Sequence, residues 1–265
     1  MSILEYKGVV ETVDRGMPAG TAFTKTEAMR RFWSSVDEVY QLLKINEPVS
    51  CEQSTLRFQH IKFKAGSAVC AAGDVCDTFF LVYAGFLKNS WIAPSGNEMI
   101  FGFPMKGDLV GLDGIFSNCF TNTLIALSDV EVILIPKELV TSEIANLGPL
   151  KTRLLFEFSN ELMSSQKLGY MMGLLSAEAR VAKFLLSHSQ QFKKIGFSEK
   201  AFHLRMTRQD IGSYLGVTLE TVSRALSRFA RRGYIKVDQK YVELVDIDAL
   251  RNLRRLSSET NSEVD

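Results

Sequence analysis

The sequence has few of the residues and runs that mark secreted, disulfide-rich or membrane proteins. Its four cysteines, Cys51, Cys70, Cys76 and Cys119, include no CxxC pair, and it has only three histidines. This usage indicates free thiols in a reducing compartment. The first sixteen residues offer no apolar run for a signal peptide, and no later run reaches the roughly 18 apolar residues of a membrane span. We therefore expect a cytoplasmic protein with no membrane partner.

Catalytic signatures are lacking as well. No GxSxG, Walker loop, HExxH or comparable constellation occurs, and the Ser, His and Asp residues show no spacing that suggests a site. The sequence therefore predicts no enzyme. At 265 residues, 46% hydrophobic and 23% charged, the chain can bury real cores and is long enough for two domains.

The texture of the chain changes along its length. Residues 1–55 form a leader whose role cannot be read, with one predicted helix from Thr26 to Lys44. From about Leu56 to Val140, short and often alternating apolar runs are punctuated by glycines. Such closely spaced short strands are typical of a β barrel, roll or sandwich.

A long helix is predicted from about Leu150 to Leu175, with a proline near its first turn. Apolar, small or flexible residues recur along it in steps of three and four, as in a coiled-coil seam. The seam positions are Leu155, Phe158, Leu162, Ser165, Gly169 and Met172. A seam of this length favours a second copy of the helix, hence a homodimer, although an amphipathic helix lying on the β domain would show a similar pattern.

The segment from Thr207 to Gly233 has the punctuation of a helix-turn-helix. Thr207 and Asp210 form a potential capping box, Gly216 suits the turn and Thr218 suits the cap of the second helix. The predicted inward face of that helix carries Val222, Ala225, Leu226 and Phe229.

The predicted outward face is polar at its start and basic further on, which suits a helix laid into a major groove. Gly233 is expected to end the helix, and the apolar alternation of YIKV and YVEL predicts a β-hairpin wing. Any helix pair with a glycine turn looks similar, but the basic face and the following wing favour DNA binding.

These residues resemble the Crp/Fnr family of bacterial transcription regulators, and the Fnr branch more than the Crp branch. FKAG, GFPMKGDLVG and above all MTRQDIGSYLGVTLETVSR carry the resemblance, which extends from about Phe63 to Leu250. It implies an α+β architecture with a β-roll sensor domain like a cyclic-nucleotide-binding domain, a dimerisation helix and a C-terminal winged helix. We place these parts at residues 1–148, leader included, 149–175 and 176–265.

The resemblance also assigns roles on the helix over residues 218–232. The base-reading positions of Fnr-type members fall on Glu220, Ser223 and Arg224, and their half-site resembles TTGAT. Arginine can bind guanine, glutamate can accept from cytosine and serine can contact a neighbouring base. Thr207 and Gln209 are expected phosphate contacts by resemblance, and Arg228 by its basic outward position. The implied partners are a palindromic operator in double-stranded DNA, a second copy of the chain and RNA polymerase, with activation or repression left open.

The sequence does not identify the effector that the β-roll would sense. The cysteine pattern with which Fnr-type members hold a 4Fe–4S cluster is missing, since no cysteine precedes Cys51 and Ile133 stands at the β-roll position. Against cyclic AMP, Asp108 lies near the position of the expected glutamate but is better explained by a tight turn, and no arginine stands near Phe120 and Thr121 to pair with a phosphate.

The remaining sensing chemistries are haem, a thiol switch and a small molecule. The histidines available to haem are His60, His188 and His203, and Cys70 with Cys76 could form a switchable pair. The chain could also act without an effector. The competing function is a ligand-binding module of the cyclic-nucleotide type that acts through protein partners, but its phosphate clamp is absent.

Overall fold

The computed structural model describes residues 33–51, 53–141 and 147–253. The chain divides into two compact units. The first unit comprises Met1–Leu87 and Pro104–Leu155, and the second comprises Lys88–Phe103 and Phe156–Asp265. The domain boundaries predicted after residues 148 and 175 remain a prediction.

The described strands are short, as the glycine-punctuated sequence predicts. They are β1 Trp33–Ser35, β2 Arg57–Phe63, β3 Ala68–Cys70, β4 Thr78–Ala84, β5 Leu87–Ile92, β6 Glu98–Gly102, β7 Leu109–Val110, β8 Thr123–Ala126, β9 Val130–Pro136, β10 Ala201–His203, β11 Ile235–Asp238 and β12 Tyr241–Leu244.

The described helices lie mostly in the C-terminal half. They are α1 Val36–Leu43, α2 Glu138–Thr141, α3 Gly148–Leu174, α4 Ala177–Lys194, α5 Arg208–Leu215, α6 Leu219–Arg231 and α7 Ile247–Asn252.

The first unit is built on an antiparallel sheet with the strand order β1-β2-β9-β4-β7. In a second sheet, β3 lies antiparallel to β8. Apolar side chains from the central strands fill the core, among them Phe58, Phe79, Leu81 and Ile133, all at most 2% exposed. The β-roll expected over this region is confirmed.

The helix predicted from Thr26 to Lys44 is only partly right. Residues 36–43 are helical, but Trp33–Ser35 form β1 and pair with β2, and residues 26–32 lie outside the described part. Ser35 explains the boundary, because its hydroxyl accepts from Glu38 N while the Glu38 carboxylate accepts from Ser35 N. This capping box starts the helix ten residues later than the apolar spacing alone suggested.

The second unit combines α4–α7 with a three-stranded sheet in the order β10-β12-β11. Strands β11 and β12 form a hairpin around Gln239 and Lys240, which is the predicted wing. The hairpin of β5 and β6 also belongs to this unit from Lys88 onward. Ile100 N in this hairpin donates to Ser213 Oγ, which in turn donates to the Glu98 carbonyl, so the hairpin is bonded directly to α5.

Candidate nucleic-acid interface

The first helix of the helix-turn-helix, α5, begins at a capping box. Thr207 Oγ1 accepts from Asp210 N at 3.0 Å, and the Asp210 carboxylate accepts from Thr207 N at 2.7 Å. Ile211 and Leu215 are buried, as predicted from their spacing. The sequence prediction of this helix start is confirmed.

The turn between α5 and α6 depends on two glycines. Gly216 has φ +64°, in the left-handed region, and ends α5. At Gly212, a Cβ would lie 2.7 Å from Val217 O, so only glycine lets the turn approach α5 this closely. Thr218 then caps α6 by accepting from Thr221 N.

Helix α6 separates an apolar face from a polar one. Its four predicted inward residues, Val222, Ala225, Leu226 and Phe229, are all buried. The opposite face, from Glu220 to Arg231, is open to solvent for most of its length. The burial of one face fixes which side chains the helix presents outward.

The predicted base-reading side chains lie together at the start of this outward face. Glu220 and Arg224 are exposed, and Ser223 between them is half-buried. Hydrogen bonds from its own backbone N–H and from the Thr218 hydroxyl lower the pKa of Glu220, which favours an ionised hydrogen-bond acceptor. Arg224 donates to Thr221 Oγ1 at 3.3 Å.

A shallow cleft of about 220 Å³ follows the same face and is strongly basic. Its lining residues are Ser223, Arg224, Ser227, Arg228 and Arg231. Its three guanidiniums and two hydroxyls offer donors for bases and phosphates, and one of the guanidiniums, that of Arg228, is paired with Glu178.

The three predicted phosphate contacts differ in exposure and in the partners that they already have. Gln209 is exposed near the start of α5, and Thr207 is exposed although its hydroxyl donates to Asp210. Arg228 is half exposed and pairs with Glu178 of α4, so part of its charge is already matched. Sequence reasoning missed Arg208, which donates to Ser223 Oγ at 3.3 Å and so connects α5 to the base-reading group. The signal that could have pointed to it is its place in the basic stretch from Arg205 to Lys236, in the first turn of α5.

The predicted seam of α3 is largely open in the single chain. Leu155 is 71% and Leu162 is 62% exposed, and Ser165 and Gly169 are exposed too, whereas Phe158 and Met172 are half-buried. A second apolar stripe beside the seam was not predicted. It consists of Phe156, Met163, Tyr170 and Leu174, each 43–55% exposed.

In the first unit, the Asp113 carboxylate, which follows β7, accepts hydrogen bonds from Thr121 and Asn122. Asp113 Oδ2 accepts from Thr121 N at 2.7 Å, from Thr121 Oγ1 at 2.6 Å and from Asn122 N at 3.0 Å.

Gly107 and Asp108 form the expected turn. The Asp108 carboxylate accepts from Met105 N, and Gly107 has φ +88°.

The candidate sensor side chains are mostly enclosed. His60 is buried, its ring nitrogens bonded to Ser34 and Glu131, each at 2.7 Å. His188 lies among phenylalanine rings, and His203 is exposed beside Tyr241. Burial raises the pKa of Cys70 to about 12 and of Cys76 to about 11, which opposes thiolate formation.

Within residues 33–51, 53–141 and 147–253, no cluster of His, Cys, Asp or Glu is arranged to hold a metal ion. No helix in that same part of the chain combines the length and apolar character needed to cross a bilayer.

The second unit thus has a winged helix-turn-helix with a basic outward face, which defines a DNA-binding protein. Family models agree: a Crp-like helix-turn-helix domain matches residues 179–253, and a cyclic nucleotide-binding domain matches residues 60–146.

Known proteins are similar to this chain over most of its length. The transcriptional regulatory protein Btr of Bordetella pertussis is 35% identical over 195 residues, 74% of this chain and 81% of its own. The fumarate and nitrate reduction regulatory protein of Escherichia coli is 36% identical over 188 residues, 71% of this chain and 75% of its own. The solved structure of FixK2 from Bradyrhizobium japonicum superposes with a TM-score of 0.67 at 24% identity, covering 77% of this chain and 100% of FixK2.

This chain belongs to the Crp/Fnr family of transcription regulators. It is a DNA-binding regulator and not an enzyme, as the sequence predicted. The competing prediction, a ligand-binding module that acts only through protein partners, is not favoured, because the helix-turn-helix match covers the C-terminal part of the chain.

Proposed function

We propose that the protein is a cytoplasmic homodimer that reads a palindrome of two TTGAT-like half-sites through α6 and regulates transcription by contact with RNA polymerase. The observation that carries the proposal is the outward face of α6, where Glu220, Ser223 and Arg224 stand together above a basic cleft. The Crp/Fnr family assignment supports the same conclusion.

The spacing of the three side chains suits base reading. Positions i, i+3 and i+4 of a helix share one face, about 5–6 Å apart, so the three groups reach neighbouring base pairs. Arg224 is assigned to a guanine, Glu220 to a cytosine amino group and Ser223 to an adjacent base. The arginines further along the cleft then lie where phosphates follow the groove edge.

The decisive experiment is anisotropy titration of a palindromic TTGAT duplex and its single-base variants. Arg224→Ala should weaken binding to the intact half-site by about 5–150-fold and erase the preference for guanine over other bases at that position. Arg251→Ala is the matched control, because Arg251 is an exposed arginine of the same unit that pairs with Asp248. Equal losses on all duplexes for Arg224→Ala would remove it from the reading role.

Arg228 is proposed to bind phosphate. Arg228→Ala should weaken binding to all duplexes alike and make the salt dependence shallower. The change in slope should stay below one unit, because Glu178 already neutralises part of the charge.

The homodimer rests on the exposed seam of α3. Two such helices would bury Leu155 and Leu162, which a single chain leaves in water. Leu162→Glu should convert the protein to monomers in analytical ultracentrifugation and abolish cooperative palindrome binding. Ser164→Glu introduces the same charge on an exposed position off the seam and should remain dimeric. A dimer that persists in Leu162→Glu would refute the seam.

The effector is proposed to be neither a cyclic nucleotide nor an iron–sulfur cluster. The donors of Thr121 and Asn122, which stand where the family clamps a phosphate, already bind the Asp113 carboxylate. A phosphate would meet that like charge, and the sequence has no arginine near Phe120 and Thr121 to offset it. The cysteines do not suit a cluster either, because none precedes Cys51 and two of the β-roll thiols, Cys70 and Cys76, have raised pKa values.

Calorimetric titration with cyclic AMP should show no binding to the native protein. Absorption spectra and iron and sulfide analysis of anaerobically purified protein should show no cluster. Binding of cyclic AMP, or a stoichiometric cluster, would overturn this part of the proposal and leave the DNA-binding part intact.

A further inference from the structure

The guanidinium of Arg180 joins the ends of two helices in the second unit. Its Nε donates to Leu175 O at 3.0 Å and its Nη1 donates to Leu215 O at 3.1 Å, while Nη2 donates to Met172 O. Met172 lies in the last turn of α3, Leu175 directly follows that helix, and Leu215 is the last residue of α5. One side chain of α4 therefore binds two helix ends at once.

The chemistry of these ends explains why an arginine stands there. The last carbonyls of a helix have no intrahelical partner, and they carry the negative end of the helix dipole. A guanidinium has five donors in a rigid planar fork, so it can satisfy carbonyls of both ends in one fixed geometry. A lysine ammonium is a single point charge and cannot set the same angle between the two ends.

A second contact supports the same junction. A Cβ placed on Gly216, the residue that ends α5, would lie 3.4 Å from Met172 Cε and 3.8 Å from Arg180 Nη1. The side chain of Met172 thus packs against the turn, beside the guanidinium. Met172, which is also a predicted seam residue, is half-buried where α3 meets the helix-turn-helix.

The junction is also connected to the recognition helix α6. Gly212 packs against Val217 so closely that α5 and α6 share one turn geometry. On the other side, Glu178 in the first turn of α4 pairs with Arg228 of α6. The three hydrogen bonds of Arg180 thus relate the end of α3 to α5 and, through the shared turn, to α6.

We propose that Arg180 is a positioning residue that sets the angle between α3 and the recognition helix and thereby the half-site spacing that the dimer accepts. The inference rests on the proposed dimer and its palindrome. Two recognition helices must lie about 34–36 Å apart, one turn of DNA, to enter successive major grooves. A change in the angle at the end of α3 moves both helices in opposite directions and alters that separation.

The test compares duplexes that carry the same two half-sites with spacers changed by one or two base pairs, and one duplex with a single intact half-site. Wild-type protein is expected to prefer one spacer clearly. Arg180→Met should lose about ten-fold affinity for that spacer and bind all spacers within about three-fold of one another. Its affinity for the single half-site should stay within about two-fold of wild type, because the reading face of α6 is untouched.

Arg180→Lys keeps the charge and should behave like Arg180→Met, since the fork and not the charge sets the angle. Arg251→Met removes one arginine elsewhere in the unit and should keep the wild-type spacer preference. The single-half-site duplex also reports whether the variant helix-turn-helix is folded.

Two results would overturn the inference. Unchanged spacer preference in Arg180→Met would show that other contacts set the angle, and loss of single-half-site binding would show that Arg180 stabilises the helix-turn-helix itself. A wild-type protein that binds no palindrome more tightly than a single half-site would instead refute the proposed dimeric function, and the positioning role with it.

Discussion

Lys88 in the β5–β6 hairpin donates to Asp210 of α5 at 3.1 Å and to the Glu98 carboxylate at 2.9 Å. The side chains of Lys88 and Asp210 are only 13% and 9% exposed. Burial acts to raise the pKa of Asp210, but hydrogen bonds from Thr207 and Lys88 outweigh it and hold that pKa below its ordinary value. The carboxylate that caps α5 is thus also the anchor of the hairpin.

Lys88→Met should destabilise the second unit, because it leaves the Asp210 charge buried with fewer donors. Removing one partner of a buried pair costs about 3–5 kcal/mol, and the remaining Thr207 donors should keep the loss near the lower end. Calorimetric unfolding would measure it. Lys236→Met is the control, because the side chain of Lys236 is 71% exposed in its pair with Glu243 and should contribute less than about 1 kcal/mol. Similar small losses in both variants would contradict a buried, stabilising role for Lys88.

Gly212→Ala should disrupt the helix-turn-helix. The new methyl group would lie 2.7 Å from Val217 O, a backbone atom, so the turn must open. We expect a loss of about 1–3 kcal/mol in the free energy of unfolding and weaker binding to every duplex. Gly173→Ala is the matched control, because a Cβ there meets nothing within 4 Å in the described structure; it should be neutral or stabilise by about 0.5–1 kcal/mol.

The buried His188 should make the second unit less stable in mild acid. Burial lowers its pKa to about 4, and Nε2 has no hydrogen-bond partner among the described residues. The folded histidine stays neutral while the unfolded one binds a proton below about pH 6.5, so stability falls as the pH drops from there towards 4. The loss over this window is on the order of 3 kcal/mol.

His188→Leu should remove most of this pH dependence, as followed by thermal unfolding between pH 7 and 4. His203→Leu should leave it in place, because His203 is exposed on β10. An unchanged slope in His188→Leu would assign the acid sensitivity to other groups.

The cysteines should differ widely in reactivity. Cys51 is exposed, whereas Cys70 and Cys76 are buried with raised pKa values. Mass spectrometry after brief alkylation of the native protein should find Cys51 modified and the two buried thiols protected, with all of them reactive after unfolding. Rapid modification of Cys70 or Cys76 in the native state would contradict their protection and favour a thiol switch formed by these two residues.

Local rules account for what could be predicted from the sequence. The cap at Thr207, the glycine turn at Gly216 and the inward positions of α6 depend on side chains a few residues apart, so their pattern is legible in one chain. The same kind of reasoning failed at Trp33–Ser35. There the apolar spacing continued a helix, but pairing with β2, more than twenty residues away, made a strand instead.

The candidate site divides in the same way. The outward placement of Glu220 and Arg224 follows from helix periodicity and was predicted. The bond of Arg208 to Ser223, the pairing of Arg228 with Glu178 and the three bonds of Arg180 join residues that no pattern connects.

The sequence by itself determined that this chain has a β-rich N-terminal part, a long helix and a basic winged helix-turn-helix, because periodicity, caps and turn residues act within a few positions. Only the tertiary structure decided that Asp113 occupies the donors of Thr121 and Asn122, that the hairpin at Lys88 is anchored on Asp210, and that Arg180 joins the ends of α3 and α5. These contacts join residues that folding alone brings together, and their energies depend on burial and geometry that a sequence does not specify.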